Sequence, residues 1–131
     1  MMYKSTRNNQ YLVSASEAII KGLSEDGGLF VPTSFPTFNL DWDELKDFTY
    51  QEMATFILRA FLDDFSAEEV RACVEAAYND KFDTPEIAPL VEADGKYYLE
   101  LFHGSTIAFK DQALSILPYL MSTANKIQAN D

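Results

Sequence analysis

Apolar residues recur at helical spacing in three stretches of the first eighty residues. Before each stretch, a Ser or Thr is followed three residues later by Glu, which is the pattern of a helix amino terminus. The spacing therefore predicts three helices that begin after Ser14, Thr49 and Ser66, and we expect their apolar faces to pack on one another. The residues of these faces are Ala18, Ile19, Ile20 and Leu23, then Met53, Phe56, Ile57, Ala60 and Phe61, then Val70, Cys73, Val74 and Ala77.

Extended segments are predicted on both sides of the first helix. Tyr3 to Arg7 is rich in hydroxyl and cationic groups and predicts an exposed strand at the amino end. Asp26-Gly27-Gly28 is expected to end the helix, because these residues tolerate positive φ angles. The apolar run Leu29 to Pro32 then predicts that the chain leaves the turn in extended form.

The segment before the second helix combines prolines, aromatic residues and acids. Thr33 to Leu40 predicts an ordered loop, with Phe35 and Phe38 packed on the core. A short helix is predicted between Leu40 and Phe48, because Asp41 supplies a carboxylate that stabilises a helix amino terminus.

The pattern changes from helical spacing to short apolar runs after residue 80. Two prolines between Lys81 and Pro89 close the helical section, and we place a domain boundary there, between residues 1–81 and residues 82–131. The runs Ala88 to Glu92 and Lys96 to Phe102 are joined by Asp94-Gly95, a pair that favours a tight primed turn. This pattern predicts a β-hairpin whose second strand is half-buried.

A last helix is predicted after Lys110, with Pro118 inside it. Proline lacks an N–H and its ring disturbs the preceding turn, so we expect the helix to bend or split there. Charged residues are sparse between Ala113 and Ala124, so this helix should be covered on most sides. Because few residues remain to cover it, the sequence predicts self-association of the chain through Leu114, Leu117 and Leu120.

The expected fold class is α/β, and α+β for the 131 residues taken alone. We expect a helical amino-terminal part, followed by a hairpin, a lysine-bearing turn and a helix.

Composition narrows the partners of the chain. With 131 residues and 47% hydrophobic content, it is long enough to bury a core. Its formal net charge of −11 argues against binding to nucleic acid or to an anionic membrane surface, since both require clustered Lys and Arg. A single cysteine, Cys73, excludes an internal disulfide, and no opening apolar run suggests a signal peptide or membrane span. We therefore expect a cytoplasmic protein.

Lys110 is the strongest candidate for chemistry. It follows Ile107, Ala108 and Phe109, so the sequence predicts that its amine lies among apolar side chains. Such surroundings favour the neutral amine, which is the form that attacks a carbonyl carbon.

Three collinear stretches resemble threonine synthases. Glu100 to Asp111, with the sequence ELFHGSTIAFKD, is similar to the lysine motif of that family, and Tyr3 to Arg7 and Gly22 to Pro32 match in the same order. The chain departs from the family pattern at Ser105, where the family usually has Pro, and at Asn8, where it usually has Gly.

The resemblance implies a function and a set of site residues. Threonine synthases are lyases of the pyridoxal-phosphate-dependent fold type II superfamily, whose members resemble the tryptophan synthase β subunit in fold. They convert O-phosphohomoserine and water to threonine and phosphate. The resemblance implies that Lys110 holds pyridoxal phosphate as a Schiff base and also moves protons on the substrate. It further implies substrate contacts by Ser5, Thr6, Arg7, His103, Ser105 and Thr106, and it implies no metal.

The residues also suggest that the activity needs more than this chain. Pyridoxal phosphate requires a cradle for its phosphate, usually Gly-rich, and no glycine follows Gly104. We therefore expect the leading portion of a longer enzyme, without bound cofactor and inactive alone. Two alternatives remain open at this point: another enzyme of the same superfamily, such as a dehydratase or a cysteine synthase, and a non-enzymatic helical interaction module.

Overall fold

The computed structural model describes residues 1–39 and 41–130. The first part of the chain contains β1 (Tyr3–Ser5), β2 (Leu12–Val13), α1 (Ala15–Lys21), β3 (Phe30–Pro32), α2 (Trp42–Leu45), α3 (Tyr50–Phe61) and α4 (Ala67–Ala77). The second part contains β4 (Leu90–Ala93), β5 (Lys96–Leu99), α5 (Asp111–Leu114) and α6 (Leu117–Asn130). Helices and two small antiparallel sheets therefore alternate, which confirms the predicted mixture of α and β structure. Among these residues, the helices are too short or too polar to cross a bilayer.

All three predicted helix starts are confirmed. At α3 the Glu52 N–H donates to Thr49 Oγ1 over 3.2 Å, and the Thr49 N–H donates to Glu52 Oε2 over 2.8 Å. The same reciprocal box joins Ser66 and Glu69 at the start of α4. At α1 the Ser14 hydroxyl accepts a backbone N–H of the first turn. Each cap satisfies donors that the helix itself leaves unpaired.

The amino-terminal strand and the end of α1 differ from the predictions. β1 is the central strand of a sheet with order β2-β1-β3, so the predicted exposed strand is wrong, and Ser5 is fully buried. The helix ends at Lys21, earlier than predicted, because Gly22 adopts a φ of 68°. Gly27, with a φ of 77°, instead turns the chain back so that β3 pairs with β1.

The loop before α3 is partly as predicted. The Phe38 ring lies 5.4 Å from the Phe56 ring, which confirms its packing. Phe35 is 80% exposed, so the prediction for that side chain is wrong. The short helix is confirmed as α2, where Asp41 Oδ1 accepts the Asp43 N–H over 3.0 Å. Leu40, at the predicted start of this segment, lies outside the described residues.

The core is organised around α4 and α6. The four residues predicted for the inner face of α4 are all buried, as expected. The side chains of α3 are partly or largely exposed, and the prediction for Ile57 is wrong because that residue is 40% exposed. α3 packs against α4, whereas α1 packs mainly against α6, which also packs against α4. The helix after the lysine therefore takes the central place that the sequence predicted for the first three helices.

The hairpin forms with the predicted turn. Leu90 pairs with Leu99 and Ala93 with Lys96, and the turn residues Asp94 and Gly95 have φ angles of 53° and 69°. All eight strand residues are exposed, so the expected half-burial is wrong. Within the described residues the two strands pair only with each other, which leaves their apolar side chains uncovered.

Pro118 lies where the last helix is divided, as predicted. α5 ends at Leu114, and α6 begins at Leu117, the residue before the proline. The prediction that this helix lacks cover within the chain is wrong for Leu120, which is 8% exposed and belongs to the main core. That core also includes Ile87 and Ala124, so it continues across residue 81; the domain boundary there stays a prediction.

Candidate functional site

The lysine turn, residues 103–111, connects the hairpin to α5. Residues 105–110 are exposed in this turn, including Lys110. Ile107 and Phe109 are 73% and 66% exposed, so the predicted apolar surroundings of the lysine amine are not formed by the described residues. Within residues 1–39 and 41–130, the Lys110 amine takes part in neither a hydrogen bond nor an ion pair. It is therefore accessible to a ligand.

His103 fixes the start of the lysine turn. Its Nδ1 lies 2.5 Å from Asp83 Oδ1, and its Nε2 lies 2.7 Å from Glu100 Oε2. The hydrogen bonds with Glu100 and then with Asp83 raise the pKa of the imidazole above its usual range. The Asp83 N–H also donates to the His103 carbonyl over 3.0 Å. The turn is thus tied to the segment that follows α4.

Asp111 closes the other end of the lysine turn. Its two carboxylate oxygens accept the Thr106 N–H over 2.8 Å and the Thr106 hydroxyl over 2.6 Å. Ser105, two residues after His103, is exposed, and its hydroxyl makes a long contact of 3.4 Å with the Lys81 carbonyl. Ser105 and Thr106 therefore differ in how firmly their side chains are held.

Tyr78 connects the end of α4 to the helix after the lysine. Its hydroxyl donates to the Gln112 carbonyl over 2.5 Å, and burial raises the pKa of the phenol. The ring also lies edge-on to Tyr50, with 4.9 Å between centroids. Because Gln112 comes two residues after Lys110, this bond holds the backbone on the carboxyl side of the lysine.

Ser5, Thr6 and Arg7 form a second group around the turn at Asp26. The Ser5 hydroxyl lies 2.7 Å and 2.9 Å from the two oxygens of the Asp26 carboxylate, to which it donates. Arg7 Nη1 donates to the Asp26 carbonyl over 3.0 Å, and Thr6 Oγ1 accepts the Leu29 N–H over 3.1 Å. The hydrogen bonds from Ser5 and from the Gly28 backbone lower the pKa of Asp26 below its usual range.

Gly28 is required for this second group to form. A Cβ atom at Gly28 would lie 2.1 Å from Ser5 Oγ and 2.9 Å from Asp26 Oδ1. Only glycine lets the backbone approach the buried Ser5 hydroxyl this closely.

The predicted site residues therefore lie in two groups. Within the described part of the chain, no hydrogen bond or ion pair joins a predicted site residue of one group to one of the other group. Sequence reasoning missed Asp26, Tyr78 and Asp111. Asp111 directly follows the candidate lysine, and its position was a usable signal. The hydrogen bond from Tyr78 to Gln112 joins residues 34 positions apart, so no local pattern in the sequence could have indicated it.

The described residues contain no cluster of three or more His, Cys, Asp or Glu side chains placed to hold a metal ion.

Comparison with known sequences places this arrangement in a family. A family model described as the threonine synthase N terminus matches residues 2–78. Threonine synthase of Schizosaccharomyces pombe is 40% identical over 118 residues, which cover 88% of this chain and 23% of the relative. Threonine synthase of Pseudomonas aeruginosa is 36% identical over 126 residues, covering 92% of this chain and 26% of the relative. The chain thus spans about a quarter of the length of these relatives.

Comparison of folds gives the same result and extends it over the lysine turn. The crystal structure of PLP-bound threonine synthase from Brucella melitensis superposes with a TM-score of 0.86 and 32% sequence identity. The match covers 98% of this chain and 28% of the solved one. The chain therefore belongs to the threonine synthase family and corresponds to its amino-terminal portion.

Proposed function

We propose that this chain carries the lysine that binds pyridoxal phosphate in a threonine synthase. In this proposal the complete enzyme is a carbon–oxygen lyase that converts O-phosphohomoserine and water to threonine and phosphate in the cytoplasm. The observation that supports it best is the accessible Lys110 amine on a turn held at both ends, in a chain that resembles threonine synthases over nearly all of its length.

The residues of the lysine turn fit pyridoxal phosphate. When bound, this cofactor withdraws electrons from the carbon atoms of an amino-acid substrate. Lys110 would hold it covalently, since its amine is exposed and makes neither a hydrogen bond nor an ion pair within the described residues. His103, Thr106 and Asp111 fix the backbone on the amino-terminal side of the lysine, and Tyr78 fixes it on the carboxyl side.

Lys110 has a second role in this proposal. When not attached to the cofactor, the Lys110 amine would accept and return protons at the substrate carbons beside it. A lysine attached to a fixed turn suits this work, because proton transfer requires hydrogen-bond distances.

The other predicted site residues fall into two classes: those with hydrogen-bond donors still free for a substrate, and those whose donors already bind other residues of the chain. Arg7 is exposed and uses one guanidinium nitrogen on the Asp26 carbonyl, which leaves further donors for a phosphate or carboxylate of the substrate. Ser105 is also exposed, with only a long hydrogen bond. Ser5 and Thr106 already donate to carboxylates, so we propose that they, Thr6 and His103 shape the substrate site.

The comparisons favour this proposal over the two alternatives. A dehydratase or a cysteine synthase, and a non-enzymatic helical module, were both compatible with the lysine pattern alone. The family match over residues 2–78 concerns the helical part that comes before the lysine, and it supports a threonine synthase.

Substitution of Lys110 in the complete protein tests the proposal. With O-phosphohomoserine as substrate, we expect Lys110→Ala to abolish release of threonine and phosphate, because the cofactor loses its covalent attachment and the substrate its proton acceptor. Lys96→Ala, in an exposed strand of the hairpin, is the matched control and should retain turnover. Full turnover by Lys110→Ala would refute the proposal. We also expect the isolated 131-residue chain to show no turnover.

A further inference from the structure

Asp111 is the one acidic side chain of the lysine turn, and it is buried where its neighbours are not. The residue is 5% exposed, whereas residues 105–110 are all exposed. Both of its carboxylate oxygens accept hydrogen bonds from the same residue, Thr106, at 2.8 Å and 2.6 Å. These two bonds close a loop of six residues that contains Lys110.

Gly104 shows how tightly this loop is packed. A Cβ atom at Gly104 would lie 2.5 Å from both Cβ and Oδ2 of Asp111, well inside contact distance. The Asp111 side chain therefore sits directly against the backbone at the start of the turn. This side chain packs inside the turn, between Gly104 and the residues that follow it.

The backbone of the lysine turn needs such a restraint. Ile107 has a φ of 64°, in the left-handed region that β-branched residues rarely enter. Its N–H donates to the Gly104 carbonyl over 3.0 Å. A conformation of this kind is strained and persists only where surrounding contacts impose it. Thr106 directly precedes Ile107, so its two hydrogen bonds with Asp111 restrain the backbone at this point.

We propose that Asp111 is a positioning residue that places the Lys110 amine by holding Thr106 and the strained Ile107 backbone in this turn. The inference rests on the proposed function of Lys110. Its role is restraint and not proton transfer, since each carboxylate oxygen accepts a hydrogen bond from Thr106 and the side chain is buried. A displacement of about 1 Å at a reacting group lowers a rate about 100-fold, so loss of the restraint affects catalysis directly.

Two substitutions separate positioning from acid–base chemistry. Asn at position 111 keeps the shape and can still accept the Thr106 N–H, while its amide can donate to the Thr106 hydroxyl. In the complete protein we expect Asp111→Ala to lower kcat about 100-fold with a smaller change in KM, and Asp111→Asn to restore most of that loss. Equal loss of kcat in both variants would contradict a positioning role.

Asp64 provides a matched control. Its Oδ2 atom accepts the Ser16 N–H over 2.9 Å and the Ser16 hydroxyl over 2.6 Å, so this carboxylate also holds the backbone and the hydroxyl of one residue, here at the start of α1. Asp64→Ala should therefore destabilise the fold without changing kcat. If Asp111→Ala and Asp64→Ala lower kcat equally, the effect belongs to general destabilisation and the inference is wrong.

Two measurements test the inference without turnover. In the 131-residue chain, amide hydrogen exchange of Thr106 should accelerate in Asp111→Ala, and remain slow in Asp111→Asn and Asp64→Ala. In the complete protein, borohydride trapping of pyridoxal phosphate on Lys110 should decrease in Asp111→Ala only. Unchanged exchange and trapping in Asp111→Ala would overturn the inference. The proposed function fails separately, if Lys110→Ala retains turnover.

Discussion

His103 shows how one residue makes the lysine turn dependent on pH. The hydrogen bonds with Glu100 and Asp83 favour the protonated imidazole and raise its pKa above its usual range. The pKa of Glu86 is lowered, mainly by its hydrogen bond with Thr84 and to a smaller extent by the charge of His103. Glu100 and Asp83 therefore both favour the charged form of His103.

The sign of the pH effect follows from the raised pKa. A group with a higher pKa in the folded state stabilises the fold fully below its unfolded pKa, and this contribution is lost as the pH rises through the folded pKa. We expect the difference in unfolding free energy between the unmodified chain and His103→Gln to be large at about pH 5.5 and small at about pH 8.5. Urea unfolding at each pH measures it. A difference that grows with pH would contradict this account.

At the scale of elements, α6 is the helix on which the others depend. Leu120 and Leu117 lie on the same helix, but Leu120 is 8% exposed and Leu117 is 40% exposed. We expect Leu120→Ala to lower the free energy of unfolding by about 2 to 5 kcal/mol, because it opens a cavity in the core. Leu117→Ala should change it by about 0.5 kcal/mol or less. Chemical denaturation of both variants tests this difference, and similar losses would contradict the placement of α6.

Local patterns predicted the elements well, whereas contacts between distant residues escaped them. The capping boxes at Thr49 and Ser66 and the turn at Asp94-Gly95 were found because each involves residues within a few positions of one another. The exposure of the hairpin and the burial of Leu120 depend on which elements meet, and the pattern of one strand or helix does not contain that information.

The same distinction holds for the candidate site. The motif identified Lys110, but it predicted apolar surroundings that the described residues do not form. The contacts of Tyr78 and of Asp26 with Ser5 join segments far apart in the chain, so only the structure reveals them. Asp111 was within reach of sequence reasoning, since it follows the lysine directly.

At the scale of the whole molecule, the apolar surface near Lys110 predicts self-association. Ile107, Phe109, Leu114, Leu117 and Met121 are all exposed on the lysine turn, α5 and α6. Because exposed apolar surface is unfavourable in water, we expect the isolated chain to dimerise through these residues. Sedimentation velocity over a range of concentrations measures the association, and Leu114→Glu should weaken it. A monomer at every accessible concentration would contradict the prediction.

The most direct measurement of the central claim is the chemical trapping of the cofactor in the complete protein. Borohydride reduction makes the link between pyridoxal phosphate and its lysine permanent, and peptide mapping then locates the label. We expect label on the peptide that contains Lys110, with none on peptides that contain Lys96 or Lys126. Label on any other lysine, or a protein that takes up no label, would contradict the assignment of Lys110 and the function proposed from it.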